Sequence, residues 1–406
     1  MLFSAARFIE PRYRILFWPL LAAFGSFGVS LIVVGALLPR ILQDFHWSYT
    51  AAGVVLAANS VGYFTSTMVS GLLVQRLGLK PIIAFGLTIE AVSLFFFGSA
   101  PAVVLNLVLN LFIGVGQGAV EVVVNTSIAR MEREGDSHLM MFVHSAFSVG
   151  AIVGPVAIGL IVAHELPWQE VYRVIALVVL VIGALLSLLP FRRLEGTGSI
   201  AEQAKPKLRS LLGFPLLLFS FFALFLYVGL EVGVSNWISE YFVKVFGTPV
   251  STGAFMVSLF WLGILIGRLS VSLIARGTRQ AATLVALALL YTLSILLAVL
   301  MRRALAGGIF FFLASLGCSG FYPLVMNLLG RYFRRSQSVA VGFAATGGGI
   351  GMFLFPLLMS GVSQRFGIRS GFIVYVVMGA ALAACAYLIL RQVRRTRDEM
   401  MSEEMN

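Results

Sequence analysis

The chain has 406 residues, of which 59% are hydrophobic and 11% are charged, and its mean hydropathy is +0.98. Soluble domains average about 45–50% apolar and about 25% charged residues, so this composition excludes a soluble protein. The net charge of +12 is divided among short clusters between apolar runs, which argues against nucleic acid as a partner.

Twelve apolar runs follow one another along the chain. Each is close to or above the length of about 20 residues that an α-helix needs to cross about 30 Å of hydrocarbon. The pattern differs from the short segments of alternating polarity that are typical of membrane β-barrels. The sequence therefore predicts an all-α membrane protein, and its twelve transmembrane helices cover residues 15–38, 50–74, 81–98, 102–129, 138–163, 169–190, 213–241, 250–275, 281–301, 304–330, 337–362 and 370–390.

Lys and Arg residues are unevenly distributed among the breaks between these runs. The two termini and the even-numbered breaks hold 21 of them, whereas the odd-numbered breaks hold seven. Because cytoplasmic segments of membrane proteins carry an excess of cations, this bias predicts that both termini are cytoplasmic. We expect an integral protein of the plasma (inner) membrane that contacts lipids and functions as a monomer.

The longest polar segment, residues 191–212, is rich in Gly, Ser, Pro and mixed charge, which is typical of a cytoplasmic linker. It separates a first six-helix bundle, residues 1–190, from a second bundle with a short cytoplasmic tail, residues 213–406. A constant offset of 201 residues aligns Gly28 with Gly229, Gly62 with Gly263, Gly116 with Gly317, Arg130 with Arg331, Gly150 with Gly351 and Pro155 with Pro356. Two six-helix repeats of this kind are typical of transporters whose binding site lies between the halves.

Polar residues on the fourth and fifth predicted helices indicate a transport site. Gln117, Glu121 and Asn125 are spaced four apart, which places them on one face of a helix. His144 lies at a depth similar to that of Glu121, and ionisable residues inside a membrane usually mark a substrate or ion path. A carboxyl group in an apolar layer can bind and release protons near neutral pH. We therefore expect Glu121 and His144 to couple to protons, and Gln117 and Asn125 to bind solute. The alternative is that these side chains only hold the helices together.

The remaining candidates lie on the second, third, seventh and tenth predicted helices. Glu231, in the middle of the seventh helix, is expected to take part in proton coupling. Trp237 is equally well explained as an anchor at the membrane interface, and Tyr322 as a packed residue beside a kink at Pro323. Glu90 has no partner that the sequence indicates, so a structural or lipid-facing role is as reasonable as a functional one. The further residues expected to bind solute are Asn236, Trp237, Tyr322, Asn59 and Tyr63.

The segment after the second predicted helix, residues 71–80, reads GLLVQRLGLK. Together with the repeated arrangement of six plus six helices, it resembles the loop signature of the major facilitator superfamily. Two positions depart from that signature, because Gln75 replaces its acid and Leu79 replaces its first base. The resemblance implies that a cytoplasmic gate is formed by Gly71, Gln75, Arg76, Gly78 and Lys80. Arg268, on the eighth helix about 12 Å from its cytoplasmic end, is expected to belong to this gate; the alternatives are that it extends to the membrane interface or contacts solute.

Two stretches resemble the fucose permease-like (sugar:proton symporter) branch of that superfamily. One is the seventh-helix segment YVGLEVGVSNWISEY, residues 227–241. The other is the fourth helix, where Glu121 and Asn125 match an acid and an Asn that serve proton coupling and sugar contact in that branch. The branch's fucose transporter has a second acid on its first helix, where this chain offers only Ser26 and Ser30. This departure leaves three alternatives: coupling uses Glu121 alone, Glu231 takes the second role, or the protein is not a sugar symporter.

These observations predict a secondary active transporter that moves a small polar solute, such as a sugar, together with protons by alternating access. We expect no enzymatic activity and no cofactor, and the lack of a phosphate-binding Gly-Lys-Ser loop argues against an ATP-driven pump. One alternative is a proton-coupled exporter of amphipathic drugs, metabolites or lipids, which the 34 phenylalanines and the Gly-Pro stretch at 150–159 favour. A second alternative is a sensing or scaffolding membrane protein without flux.

Overall fold

The computed structural model describes residues 9–132, 138–164, 166–194, 211–274, 279–333 and 336–404. Within these ranges all regular structure is helical, and twelve helical segments are long and apolar enough to cross a membrane. The predicted all-α membrane fold with twelve spans is therefore confirmed.

Thirteen α-helices and two short 3-10 helices build the described ranges. Two of the α-helices, α10 and α11, together form the tenth span. The 3-10 helices are Pro11–Tyr13 and Phe191–Arg193. The α-helices are α1 Arg14–Phe45, α2 Tyr49–Leu77, α3 Leu79–Phe96, α4 Val103–Met131, α5 His138–Ala163, α6 Trp168–Leu188, α7 Pro215–Phe246, α8 Val250–Ile274, α9 Gln280–Leu300, α10 Ala304–Cys318, α11 Phe321–Tyr332, α12 Gln337–Phe366 and α13 Ile368–Glu404.

Several helices extend beyond their predicted apolar runs. Helix α1 continues seven residues past the predicted end at 38 and includes Pro39. This proline lacks one backbone N–H donor, but the helix continues through it. The helix stops at His46, whose φ of 52° is left-handed. Helix α7 likewise passes residue 241 and stops at Gly247, with φ of 67°. These two ends are therefore set by residues in left-handed conformations rather than by the limits of the apolar runs.

The tenth span is broken in the middle. Helix α10 ends at Cys318 and α11 begins at Phe321, so Ser319 and Gly320 interrupt the span. The sequence predicted a kink from Pro323. In the structure this proline lies in the first turn of α11, where the missing N–H would have had no helical partner.

The chain divides into two compact units. Unit 1 comprises the described residues of Met1–Ile200 and Pro249–Ser258, and unit 2 comprises those of Ala201–Thr248 and Leu259–Asn406. Residues 195–210 of the predicted linker lie outside the described residues. In unit 1, α2 packs along α4, α1 along α5, and α3 against both α4 and α6. In unit 2, α7 packs along α12, and α9 packs against both α10 and α13.

One helix crossing appears in both units at equivalent glycines. A Cβ atom at Gly150 on α5 would lie 2.1 Å from the backbone oxygen of Gly25 on α1. A Cβ atom at Gly351 on α12, the residue 201 positions later, would lie 1.9 Å from the backbone oxygen of Phe225 on α7. Only glycine permits such close backbone contact. The α1–α5 crossing of unit 1 is thus repeated as the α7–α12 crossing of unit 2.

Candidate functional site

Glu121 on α4 faces Tyr63 on α2. The hydroxyl group of Tyr63 donates a hydrogen bond to the carboxyl group of Glu121. The two helices approach closely at Gly118, where a Cβ atom would lie 2.5 Å from the backbone oxygen of Tyr63. The sequence predicted both residues as candidates, but the contact between them joins positions 58 residues apart and follows only from the fold.

Asn125 lies one helical turn beyond Glu121 on α4 and is half-buried. Its side-chain oxygen Oδ1 is enclosed and has no hydrogen-bond partner within the part of the chain that the structure describes. Buried acceptors without a partner are rare in proteins. This oxygen is therefore an unused acceptor next to Glu121, which a solute or a water molecule would reach once the groups around it move apart.

An aromatic cluster lies between His144 and Tyr63. The exposed ring of His144 on α5 meets Phe24 on α1 edge-on, with centroids 5.0 Å apart. Phe27 on α1 stacks on Tyr63 at 6.1 Å, and Phe147 contacts both phenylalanines. The cluster brings His144 into the same region as the proton-coupling candidate on α4. Its role in proton transfer stays a prediction.

Gln117 and Asn59 lie in a buried chain of hydrogen bonds. Asn59 Nδ2 donates to Gln117 Oε1 at 3.2 Å, and Gln117 Nε2 donates to Ser30 Oγ at 3.0 Å. Ser30 Oγ donates to Glu90 Oε1 at 2.6 Å. Since Gln117 is 0% exposed, protein groups rather than a solute satisfy its amide in this conformation. The chain crosses four helices, so sequence spacing showed neither the partner of Glu90 nor the involvement of Ser30.

Unit 2 contains an ion pair between Glu231 on α7 and Arg268 on α8. Arg268 Nη2 lies 3.0 Å from Glu231 Oε1, and Glu231 is 7% exposed. Opposite charges inside an apolar layer lower the cost of burying each other. Arg268, which was predicted to belong to the gate, therefore contacts a residue that was predicted to couple to protons. Both are charged residues within apolar runs of the same half of the sequence. That pattern could have suggested an ion pair between them.

The other candidates of unit 2 differ in accessibility. Trp237 is 0% exposed and Asn236 is 8% exposed, so both lie in the core of the unit. The enclosed indole of Trp237 offers no open face for a sugar in this conformation. Tyr322, at the start of α11, is 40% exposed. Of these three residues, Tyr322 is the one that unit 2 presents at its surface.

The predicted gate segment forms the connection between α2 and α3. Gly78 alone separates the two helices, and its φ of 84° favours glycine. A Cβ atom at Gly71 would have no neighbour within 4 Å, so packing gives no reason for glycine there. Gln75 and Arg76 are exposed and Lys80 is half-buried. The gate function of these residues stays a prediction.

Comparison with known proteins identifies the family. The sequence profile described as Major Facilitator Superfamily matches residues 20–311 and 283–400. The Protein TsgA homolog of Yersinia enterocolitica serotype O:8 / biotype 1B (strain NCTC 13174 / 8081) is 23% identical over 356 residues, which cover 87% of this chain and 89% of the relative.

Solved structures share the fold at low sequence identity. A bacterial homolog of the human lysosomal transporter Spinster, inward-facing and unoccupied, superposes with a TM-score of 0.80 at 12% identity, covering 95% of this chain and 98% of the other. The transporter FucP in its outward conformation superposes with a TM-score of 0.61 at 22% identity, covering 93% and 99%. At these identities the likeness concerns the fold.

Proposed function

The chain belongs to the Major Facilitator Superfamily, and we propose that it is a secondary active transporter that moves a small polar solute, such as a sugar, together with protons. Members of this kind alternate access to a central site instead of hydrolysing ATP. The proposal rests on the pair formed by Glu121 and Tyr63, with the unpartnered oxygen of Asn125 one turn away.

Glu121 is suited to couple a proton to a solute. Its described hydrogen-bond partner is the uncharged phenol of Tyr63. A protonated carboxyl group can donate one hydrogen bond, whereas an ionised one can only accept. Binding a proton therefore changes what Glu121 offers to Tyr63 and to a solute hydroxyl group. The affinity for a solute that hydrogen-bonds to both Asn125 and Glu121 would therefore depend on whether Glu121 is protonated.

Glu231 is less suited to the same task. It already forms an ion pair with Arg268, and the pair carries no net charge. Protonating Glu231 would leave the guanidinium charge without its counterion inside the apolar layer. We therefore assign proton coupling to Glu121, and we assign the Glu231–Arg268 pair to holding α7 against α8 within unit 2.

The printed names of several structural neighbours suggest solutes for the first test. They include a fucose:proton symporter, a D-xylose-proton symporter and a nucleoside transporter. The purified protein should be screened for thermal stabilisation by fucose, xylose, a nucleoside, a cationic dye and a lysophospholipid, each at two pH values. A ligand at about 100 times its Kd adds about 2.7 kcal/mol to the stability of the folded state.

Stabilisation by a sugar or nucleoside, followed by alkalinisation outside vesicles when that solute is added, would support the proposal. The Glu121→Gln protein is the matched control, and it should bind the solute without moving protons. Stabilisation by the dye or the lysophospholipid alone would overturn the assignment of a polar solute and favour an exporter of amphipathic compounds. Solute uptake that is independent of Glu121 would overturn the assignment of coupling.

A further inference from the structure

A buried chain of hydrogen bonds crosses unit 1 and ends on Glu90. Each of the helices α1 to α4 contributes one side chain to it. Asn59 donates to Gln117, Gln117 donates to Ser30, and Ser30 donates to Glu90. Every donor points toward Glu90, so its carboxyl group is the final acceptor. The transport roles proposed above make no use of this acid.

Glu90 lies deep between α3 and α4. It is 1% exposed, and a Cβ atom at Gly116 would lie 2.4 Å from the Cβ atom of Glu90. Since glycine has no side chain at this point, the backbone of α4 packs directly against the Glu90 side chain. The donor to its carboxyl group is the neutral hydroxyl of Ser30. One hydroxyl group does not balance the charge of a carboxylate in an apolar layer.

The cations on the surrounding helices are remote. On α1 to α4 each cation is ten or more residues along its helix from the residue in the chain, which is about 15 Å or more. On α6, Arg173 pairs with Glu170 and lies over the ring of Phe95. The other charged and titratable residues of these five helices are Arg14, Arg40, Asp44, Tyr49, Tyr63, Arg76, Lys80, Glu121, Arg130 and Tyr172. Among the described residues, none of these cations is a counterion for Glu90.

The internal repeat places a second buried cluster at the same positions of unit 2. In unit 2, a Cβ atom at Gly317, beside Cys318 on α10, would lie 2.5 Å from the backbone nitrogen of Tyr291 on α9, so these two helices are in close contact at the corresponding positions. The positions that correspond at the offset of 201 are Ser30 with Glu231, Glu90 with Tyr291, and Gln117 with Cys318.

The two clusters differ in how the acid is neutralised. In unit 2, Glu231 pairs with Arg268. The residue of unit 1 that corresponds to Arg268 is Thr67, which carries no charge. Unit 1 thus has a buried acid in the cluster but lacks the guanidinium. In unit 2, Arg268 balances the charge of Glu231. In unit 1, a proton bound to the carboxyl group of Glu90 would remove the charge instead.

We propose that Glu90 is a proton-binding residue distinct from Glu121, and that its proton sets the direction of the hydrogen bond between Glu90 and Ser30, the residue to which Gln117 donates. Its part in transport rests on the proposed function, in which it is a second proton site. The proton comes from water, forms an O–H bond with one carboxylate oxygen and returns to water when that bond breaks. No other covalent bond changes.

Ser30 transmits the protonation state of Glu90. When Glu90 is neutral, it donates to Ser30 Oγ, and the Ser30 hydroxyl donates to the backbone oxygen of Phe27, 3.2 Å away. When Glu90 is charged, the Ser30 hydroxyl donates to the carboxylate instead. Gln117 Nε2 donates to the same Ser30 oxygen in both states, so the strength of this hydrogen bond changes with the proton while its direction stays the same.

Infrared difference spectroscopy of the full-length protein in liposomes, between alkaline and acidic buffer, tests the proposal. The carbonyl stretch of a protonated carboxyl group is resolved from that of a carboxylate. We expect a band at acidic pH that is absent from the Glu90→Gln protein and retained in the Glu121→Gln protein. In the Ser30→Ala protein the band should remain but shift, because its hydrogen-bond partner is lost.

A Glu90→Gln spectrum identical to that of the unchanged protein would overturn the proposal. If Glu90→Gln does not fold, an unshifted spectrum of Ser30→Ala would overturn it equally. The measurement needs no solute, so it is independent of the proposed function. If the Glu90 band is present but the protein transports no solute with protons, the proposed function is wrong and the assignment of this proton site still holds.

Discussion

Glu121 and Glu231 are both acids within apolar helices, but their partners are chemically different. Glu121 is bonded by the phenol of Tyr63, and Glu231 by the guanidinium of Arg268. A phenol leaves the carboxyl group free to exchange a proton, whereas a guanidinium favours a fixed negative charge beside it. Substitutions at the two acids should therefore have different consequences.

Glu121→Gln should abolish solute accumulation driven by a proton gradient and preserve exchange of solute between loaded sites. The amide has nearly the same shape as the acid but takes up no proton at neutral pH. Accumulation and counterflow in proteoliposomes, with a solute found by thermal stabilisation, measure the two activities separately. Full accumulation by this variant would remove Glu121 as the proton carrier.

Arg268→Gln should destabilise the protein by about 1–3 kcal/mol, because Glu231 then lacks a counterion. The value is below the roughly 3–5 kcal/mol of a fully buried pair, since the Arg268 side chain is 34% exposed. Thermal unfolding in detergent measures the effect, and the exposed Arg279→Gln serves as the control. The double variant with Glu231→Gln should recover part of the loss. A double variant less stable than Arg268→Gln would contradict the ion-pair interpretation.

At the scale of elements, apolar run length was sufficient to predict twelve spans but not where helices end. Pro39 lies inside α1, and the tenth span breaks at Ser319, because backbone geometry at single residues decides such points. Spacing within the sequence placed Gln117 and Glu121 on one helix, and both lie on α4. It could not show which residue of another helix each one meets, because such contacts depend on helix packing.

Close helix packing gives a prediction at this scale. A Cβ atom at Gly114 on α4 would lie 2.1 Å from the backbone oxygen of Asn59 on α2, so Gly114→Ala must separate the two helices. We expect a loss of about 1–3 kcal/mol in stability and weaker transport, since the contact between Tyr63 and Glu121 spans the same pair of helices. Thermal unfolding and uptake measure these effects.

The matched control for that substitution is Gly342→Ala on α12. A Cβ atom there would have no neighbour within 4 Å, and alanine favours a helix by about 1 kcal/mol over glycine. This variant should be as stable as the unchanged protein or slightly more stable. Equal stability of the Gly114 and Gly342 variants would show that α2 and α4 are not in backbone contact.

At the scale of the whole molecule, the two units share helix crossings but differ in polar chemistry. Position for position, Thr67 of unit 1 corresponds to Arg268 of unit 2, and Glu121 corresponds to Tyr322. Within the described residues, Glu90 and Glu121 of unit 1 are bonded by hydroxyl groups, whereas Glu231 of unit 2 is bonded by the guanidinium of Arg268. If protons are coupled to transport, we therefore expect substitutions of these acids in unit 1 to affect coupling more than substitution of Glu231 in unit 2.

The breaks between spans also divide into two sets. In unit 1, Trp168 Nε1 donates to Asp44 Oδ2 at 2.8 Å, which joins the start of α6 to the end of α1. Arg130 Nη1 donates to the backbone oxygen of Leu194 at 3.1 Å, which joins the end of α4 to the segment after α6. Odd-numbered breaks thus meet each other, and so do even-numbered ones, as alternating membrane crossings require.

The cation bias predicts that the even-numbered set, and with it both termini, lies in the cytoplasm. We expect a membrane-impermeant thiol reagent to label Ser99→Cys, in the third break, on intact cells. Gly213→Cys, just before α7, should react only after the membrane is opened. Both sites are exposed, Cys318 is buried, and Cys385 should be replaced by alanine to remove background labelling. Labelling of Gly213→Cys but not Ser99→Cys on intact cells would invert the orientation and place the connection after α2 outside the cell. The segment at residues 71–80 could then no longer serve as a cytoplasmic gate.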